Sequence, residues 1–433
     1  MTPGPAAAPG GHPSETTPPP VSLWRDPPFR RLWAGQTISG LGSTISREAL
    51  PLTAVLLLSA TPMQVSLLAA AGSAAALIFG VPAGLLADRI RRRPLMILAD
   101  LARAALLLLI PLAAALGRLD LALLLVVSFL VGAWSVLFDV AYPSYVPQLV
   151  PSAQLVEANS KLEVGDSLAE IGGAALGGAM VQFLGGPLAI LVDAFSFLAS
   201  ALSLAVIGRR EPAPLPNRDS TGLLREALAG WKWVRHHPTV RALAGATGFF
   251  YFFGGFFGAL YILFAIQELS IPPAVLGLLI AAGGVGALLG AATAERASRR
   301  IGIGRTIILA FWARSVTALL TPLAPTVAPW GALFLFTGQL AGDFALMIFF
   351  VSELSLRQSL APAAILGRVN ASMELIAAGL SPFGLLAAGI VAEAIGVRPA
   401  LLIGVLGSAL GGVWLLRSPL RQISHLPQSS ATS

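Results

Sequence analysis

Four carboxylic side chains stand inside long apolar segments of this chain, where an ionised group is costly. Glu48 and Asp343 each lie in a segment of their own, and Asp166 and Glu170 are four residues apart in a third. A spacing of four places two side chains on the same face of a helix. A carboxyl group in water-poor surroundings can bind a proton and release it when those surroundings change. These four residues are therefore candidates for proton coupling.

The composition indicates that most of the chain lies in a membrane. Of 433 residues, 56% are hydrophobic and 11% are charged, whereas soluble domains carry about 25% charged residues. A helix crosses the hydrocarbon core with about 20 apolar residues, and the apolar runs here do not alternate as barrel strands do. The sequence therefore predicts an all-α membrane protein with twelve transmembrane helices. The predicted spans are 31–58, 63–87, 94–116, 119–142, 160–183, 187–208, 241–267, 273–295, 304–323, 328–353, 366–394 and 397–416.

A polar segment in the middle of the chain divides these spans into two groups of six. No basic stretch followed by an apolar core precedes Trp24, so no cleaved signal peptide is expected. The chain has no cysteine, which excludes disulfides and thiolate metal sites. We predict a disordered tail at 1–24, an N-terminal six-helix bundle at 25–208, a cytoplasmic linker at 209–240, a C-terminal six-helix bundle at 241–417 and a C-terminal tail at 418–433.

The basic residues predict the orientation of the spans. With both termini in the cytoplasm, 23 of the 28 Lys and Arg residues fall in cytoplasmic segments, two in outer loops and three within spans. Basic residues favour the cytoplasmic side of a membrane, so both termini are expected there. Because the charges lie in short loops beside lipid head groups, we expect membrane lipids as partners and no nucleic acid.

The two groups of six spans are related by an internal repeat. With a shift of 211 residues, LVPSAQLVEANS (149–160) falls on LAPAAILGRVNA (360–371). With a shift of 207 residues, the basic turn ADRIRRR falls on AERASRR. Two pseudo-symmetric six-helix halves in parallel repeat are typical of an alternating-access transporter.

The shift of 211 residues also superimposes intramembrane charges of the two halves. A charge that occurs at the same position in both halves favours a structural role over a function at one site. We therefore expect buried charge pairs within each half, with Glu163 or Asp139 as the partner of Arg103 and Glu374 as the partner of Arg314.

The first basic turn carries a recognisable motif. In the major facilitator superfamily the turn after span 2 reads Gly-x-Leu-Ala-Asp-Arg-x-Gly-Arg-Arg. Here the stretch from Gly84 to Arg93 matches it, with Arg91 in place of the second glycine. From about residue 25 to residue 420 the chain resembles this superfamily, and YVPQLVPSAQLVEANS and RQSLAPAAILGRVNAS are similar to its branch with macrolide-efflux and enterobactin-export proteins. The resemblance implies the major facilitator fold.

The resemblance also implies that the basic turns act as a cytoplasmic gate, with the turn's aspartate contacting the other half in the outward-facing state. The alternative is that the arginines only anchor the spans by the positive-inside rule. Anchoring does not explain an acid at positions 88 and 295. The predicted gating residues are Gly84, Asp88, Arg89, Arg92, Arg93, Glu295 and Arg296.

In the superfamily, spans 1, 4, 7 and 10 line a central cavity, which implies where substrate would bind. Span 7 contains the aromatic run GFFYFFGGFFGALYILF, part of which must face lipid because it covers every side of the helix. The remainder is suited to large apolar or aromatic solutes. The predicted cavity residues are Arg47, Trp134, Phe138, Phe253, Phe257, Tyr261 and Phe334.

Other function classes lack their motifs. The only lysines are Lys161 and Lys232, neither of which is in a phosphate-binding loop. We find no clustered nucleophile and base and no intramembrane histidine, so no enzyme activity, cofactor or metal is expected. The sequence predicts a monomeric proton-coupled exporter of amphipathic or hydrophobic small molecules, of the drug or siderophore type, in a bacterial inner membrane. The alternatives are an importer of a small organic solute, a lipid flippase or a non-transporting scaffold.

Overall fold

A computed structural model describes residues 22–208, 211, 223–362 and 365–424. In this part of the chain every regular element is a helix, and no strand occurs. The helices are α1 (Pro27–Leu58), α2 (Pro62–Arg89), α3 (Arg92–Ala115), α4 (Leu121–Leu149), α5 (Leu155–Leu184), α6 (Gly186–Val206), α7 (Leu223–His236), α8 (Pro238–Leu263), α9 (Pro273–Ile301), α10 (Ile303–Ala318), α11 (Trp330–Leu360), α12 (Leu366–Ile395) and α13 (Val397–Leu416).

The twelve predicted spans correspond to α1–α6 and α8–α13, and the all-helical prediction is confirmed. Eleven helices of the described chain are long and apolar enough to cross a membrane. The exception is α10, the ninth predicted span, which has 16 residues and is followed by turns through residue 323. Most of the predicted tail at 1–24 and residues 209–210 and 212–222 of the predicted linker lie outside the described residues, whereas the rest of the linker includes the helix α7.

Local sequence signals fix several helix ends. Thr61 and Gln64 form a reciprocal capping box at the start of α2, and the Asp120 carboxylate accepts a hydrogen bond from the Leu123 amide at the start of α4. Gly185 and Gly396 join α5 to α6 and α12 to α13 with φ of 86° and 95°. These glycines are 211 residues apart, so the internal repeat extends to backbone geometry that favours glycine.

The first basic turn is tied to its own bundle. Arg93 donates hydrogen bonds from its side chain to the carbonyl oxygens of Leu204 (2.7 Å) and Ala205 (2.6 Å) at the end of α6. The Glu211 carboxylate accepts hydrogen bonds from the backbone amides of Arg92 (2.6 Å) and Arg93 (3.0 Å) in the first turn of α3. A carboxylate is favourable at a helix N-terminus because the amides there lack partners.

The helices pack as two bundles, and two pairs of helices form the main contact between the bundles. In the first bundle α1 packs on α5 and α6, and α4 on α2 and α3; in the second α8 packs on α12 and α13, and α11 on α9 and α10. Between the bundles α5 packs on α9 and α2 packs on α12. We call the end with the α2–α3 and α9–α10 turns the basic end, and the other the opposite end.

Hydrogen bonds join the two bundles at the opposite end. The Ala274 amide donates a hydrogen bond to the Gln182 side chain (3.0 Å), and the Met63 amide donates one to the Glu393 carboxylate (3.2 Å). Between these helices α5 and α9 cross at a glycine pair, where a Cβ on Gly277 would overlap the Ala174 carbonyl oxygen. Glycine is therefore required for this end to close.

We predict that Gly277→Val opens the opposite end. Overpacking costs roughly 1–3 kcal/mol, so a cysteine placed at Ser66, which is fully buried beside α12, should react with a thiol reagent about tenfold faster. The chain has no cysteine of its own, so this label is specific. The matched control is Gly254→Val, because a Cβ there would meet no atom within 4 Å. Equal labelling rates in the two variants would contradict the prediction.

Candidate functional site

A cavity of about 530 Å³ lies between the two bundles. Its volume is in the range of small-molecule sites, which is about 300–1,000 Å³. The first bundle contributes residues of α1, α2 and α4, and the second contributes residues of α8, α9, α10 and α11. The residues of this wall that carry charge or an aromatic ring are Arg47, Glu48, Phe257, Tyr261 and Arg314.

Glu48 is the buried acid of the cavity wall. Its side chain lies on α1 where that helix packs against Gly177 of α5, and the residue is only 7% exposed. Its Oε2 atom has no hydrogen-bond partner among the described residues. Tyr261 of the other bundle is 8% exposed, and its hydroxyl group also has no partner there. Glu48 of the first bundle and Tyr261 of the second therefore line the same cavity.

Arg47, the neighbour of Glu48, is held in a different pair. Its guanidinium donates two hydrogen bonds to the Glu170 carboxylate, at 3.0 and 2.9 Å, and a third to Thr44. Both side chains of this pair are more than half exposed, at 57% and 53%. The pair therefore joins α1 to α5 within the first bundle and leaves Glu48 without Arg47 as a partner. Asp166, the other candidate on α5, is also exposed.

Arg314 is the cation that the second bundle contributes. Its guanidinium lies 5.6 Å from the centre of the Phe257 ring, and its Nε atom has no hydrogen-bond partner in the described structure. Arg314 also lies against Gly342 of α11, the residue that precedes Asp343. Asp343 packs against Gly283 of α9 and is not part of the cavity wall. Asp343 is therefore near Arg314 but outside the cavity wall.

The Arg103 pair differs from the prediction. Arg103 is 5% exposed and donates a hydrogen bond to Asp100, three residues earlier on α3, and not to Glu163 or Asp139. The rings of Phe138 and Phe197 cover the guanidinium at 4.5 and 4.1 Å. Asp139 acts on Arg103 through its charge only.

Glu163 and Glu374 were wrong as buried partners, because both side chains are exposed. The repeat relates the backbone positions of the two halves, but the acid beside each arginine is not at the repeated position. Asp100 lies one turn from Arg103 on the same helix, and Asp343 lies on a different helix from Arg314.

Four of the seven predicted cavity residues lie away from this wall. Phe138 is 5% exposed in the core of the first bundle, and Trp134 packs against the same core. Phe253 is pressed against Gly407 of α13, and Phe334 packs on the main apolar core. A sequence pattern alone does not tell which side of an all-apolar helix faces inward. Arg47, Phe257 and Tyr261 do line the cavity.

The predicted gating residues lie at the basic end, in or beside the two turns. Gly84 and Arg89 are in α2, Arg92 and Arg93 begin α3, and the side chain of Asp88 lies outside the described residues. Glu295 is 83% exposed and forms an ion pair with Arg299 (3.6 Å), one turn further along α9. Arg296 is exposed beside it. Glu295 and Arg296 are thus accessible to solvent, whereas Arg92 and Arg93 are half-buried.

Some residues of the site carry no signal that the sequence analysis used. Gln339 of α11, Ser73 of α2 and Ser128 of α4 line the cavity as isolated polar residues. A buried pair of Glu353 and Arg357 (3.7 Å) in α11 was also missed, although its spacing of four residues on a helix could have indicated it.

The arrangement of the helices matches solved transporter structures. The structure of a bacterial homologue of the iron transporter ferroportin in the inward-facing state has a TM-score of 0.73 at 17% identity, covering 92% of this chain and 99% of that chain. The nucleoside transporter NupG has a TM-score of 0.72 at 13% identity, covering 92% and 98%. At these identities the likeness shows the fold, which is that of the major facilitator superfamily.

Within this superfamily the chain belongs to the transmembrane secretion effector family, whose model matches residues 19–432. The multidrug efflux pump Tap of Mycolicibacterium fortuitum is 29% identical over 88% of this chain and 95% of its own length. An uncharacterized MFS-type transporter of Bacillus subtilis, YfiS, is 28% identical over 86% of this chain and 88% of its own length. The protein is therefore a multi-pass membrane transporter and not an enzyme.

Proposed function

We propose that this protein exports amphipathic or hydrophobic small molecules in exchange for protons. The observation that carries the proposal is the cavity of about 530 Å³ between the bundles, which presents one buried acid, Glu48, beside aromatic side chains. The similarity to multidrug efflux pumps supports export as the direction.

Glu48 is the proposed proton carrier. An ionised carboxylate without a partner is costly away from water, whereas a protonated acid needs no counter-ion. The unpartnered Oε2 atom of Glu48 is therefore suited to bind a proton and to release it when the cavity opens to the other side of the membrane. Asp343 lies near a cation, Arg314, and Glu170 already binds Arg47. These pairs leave Glu48 as the first candidate and Asp343, Asp166 and Glu170 as the others.

The composition of the wall supports an amphipathic substrate. Phe257, Tyr261 and Ile280 offer apolar contacts from the second bundle. The charged side chains of the wall are Arg47, Glu48 and Arg314, and Ser73, Ser128 and Gln339 add neutral polar groups. A molecule with an apolar body and one polar or charged group would match this division.

The proposed orientation places the basic end in the cytoplasm of a bacterial cell. We predict that a cysteine replacing Ser152, an exposed residue of the α4–α5 connection at the basic end, resists an impermeant thiol reagent until the cells are lysed. A cysteine replacing Thr326, an exposed residue of the α10–α11 connection, should react in intact cells. The reverse pattern would contradict this orientation.

Efflux of ethidium, a fluorescent lipophilic cation, from intact cells tests the proposed function. Cells that produce the protein should expel ethidium faster than cells without it, and an uncoupler of the proton gradient should remove the difference. Efflux that continues unchanged with the uncoupler would contradict proton coupling. A panel in which no amphipathic compound is expelled would contradict the proposed substrate class.

A further inference from the structure

A second cavity, of about 540 Å³, lies on the second bundle and away from the central one. It is a groove between α7, α8, α12 and α13. Gly245 and Gly248 of α8 form its floor, and Ile376 and Leu380 of α12 form an apolar side. Trp231 of α7 and Trp414 of α13 border the groove and are 46% and 47% exposed.

One end of this groove is positively charged. Arg235 near the end of α7 and Arg241 in the first turn of α8 both line it and are both exposed. Arg241 donates a hydrogen bond to the Arg235 carbonyl oxygen (3.4 Å), which keeps the two residues close. None of the ten residues that line the groove is acidic. The two arginines therefore face the groove without a carboxylate to neutralise them there.

Helix α7, which completes the groove, packs closely against α8 and α12. Val234 of α7 is 1% exposed in a cluster with α8 and α12. A Cβ on Gly230 would overlap the Arg368 carbonyl oxygen, so α7 lies directly against the first turn of α12. The Trp233 ring stacks on His237 with 4.9 Å between the ring centres. The groove is therefore a formed feature of the bundle rather than a gap beside a loose helix.

We propose that this groove binds one anionic phospholipid of the surrounding membrane. Its phosphate group would lie between Arg235 and Arg241, and an acyl chain would lie along the glycine floor between the two tryptophans. Basic pockets between spans on the cytoplasmic side of a membrane attract anionic head groups, and tryptophan is enriched at this depth. A free phosphate ion would leave the apolar floor in water, so a lipid fits the whole groove better.

Quenching of tryptophan fluorescence by brominated lipids tests this proposal. The full-length protein is reconstituted into phosphatidylcholine vesicles with increasing fractions of phosphatidylglycerol, and either lipid carries the dibrominated acyl chain. We expect brominated phosphatidylglycerol to quench more strongly than brominated phosphatidylcholine at equal mole fraction. In a W231F/W414F variant this difference should largely disappear, because six of the eight tryptophans remain but the two in the groove do not.

The arginines are tested by the R235Q/R241Q variant, in which the preference for phosphatidylglycerol should fall about tenfold. The matched control is R299Q/R300Q, which removes the same charge from exposed positions at the basic end of α9 and should keep the preference. Equal quenching by the two lipids in the parental protein would overturn the proposal without any variant. An unchanged preference in R235Q/R241Q would overturn it as well.

Discussion

Replacing Glu48 by glutamine should stop uphill transport driven by a pH gradient and leave substrate exchange intact. The amide fills the same space as the acid, so the packing of α1 on α5 is kept, and an unpartnered buried charge is removed. The variant can no longer bind and release a proton at this position. In vesicles with the purified protein, pH-driven accumulation of ethidium should fall to the level of protein-free vesicles, while exchange without a gradient persists.

Two further variants show whether this effect is specific to the cavity. Glu157→Gln removes an exposed acid that pairs with Lys161 on α5, far from the cavity, and should transport at the parental rate. Asp343→Asn leaves Arg314 without its acid and should impair both pH-driven transport and exchange. If Glu48→Gln and Asp343→Asn both accumulate ethidium at the parental rate, neither acid couples transport to protons. Asp166 and Glu170 would then be the next candidates.

Removing the buried guanidinium of Arg103 should destabilise the protein strongly. Asp100 is fully buried and Asp193 is 1% exposed, and the charges of both act on Arg103. Breaking a buried ion pair by removing one partner costs roughly 3–5 kcal/mol, because the other charge remains without compensation. Arg103→Ala should therefore lower the midpoint of thermal unfolding and the yield of folded protein in detergent.

Arg47→Ala is the matched control for this prediction. It removes the same side chain from the same bundle, but from a pair whose members are 57% and 53% exposed. Exposed pairs contribute about 0–1 kcal/mol, so the unfolding midpoint should change little. If Arg103→Ala and Arg47→Ala unfold at the same temperature, the buried cluster around Arg103 is not a structural element of the first bundle.

The fold could be predicted from the sequence because membrane helices are governed by length and apolarity. The last predicted span, 397–416, has the observed bounds of α13, and most others differ by a few residues. The larger errors occur where helices continue beyond the apolar region. Residues 143–149 still belong to α4, although they include tyrosine, glutamine and two prolines. Hydropathy marks where a helix meets the head groups and not where it ends.

The site was less predictable because it depends on which side of each helix faces inward. Glu48 and Tyr261 could be proposed from one acid in a long apolar segment and an aromatic run, and both line the cavity. Phe138 is also an aromatic residue on an apolar helix, but it lies in the core over Arg103. The prediction for Arg103 was wrong because the internal repeat favoured Glu163 as its partner. The partner in the structure is Asp100, which lies one turn away on α3. Rotation of a helix about its axis is set by packing, for example at the glycines of α5 against α1.

The central claim is that substrate and protons move in opposite directions through one cavity. The most direct measurement is the internal pH of vesicles that contain only the purified protein and a trapped pH-sensitive dye, with the membrane voltage clamped by potassium and valinomycin. An imposed ethidium gradient should drive protons against the ethidium flux in the parental protein, and Glu48→Gln should move ethidium down its gradient without a pH change. Ethidium movement through the parental protein without any change in internal pH would contradict the claim.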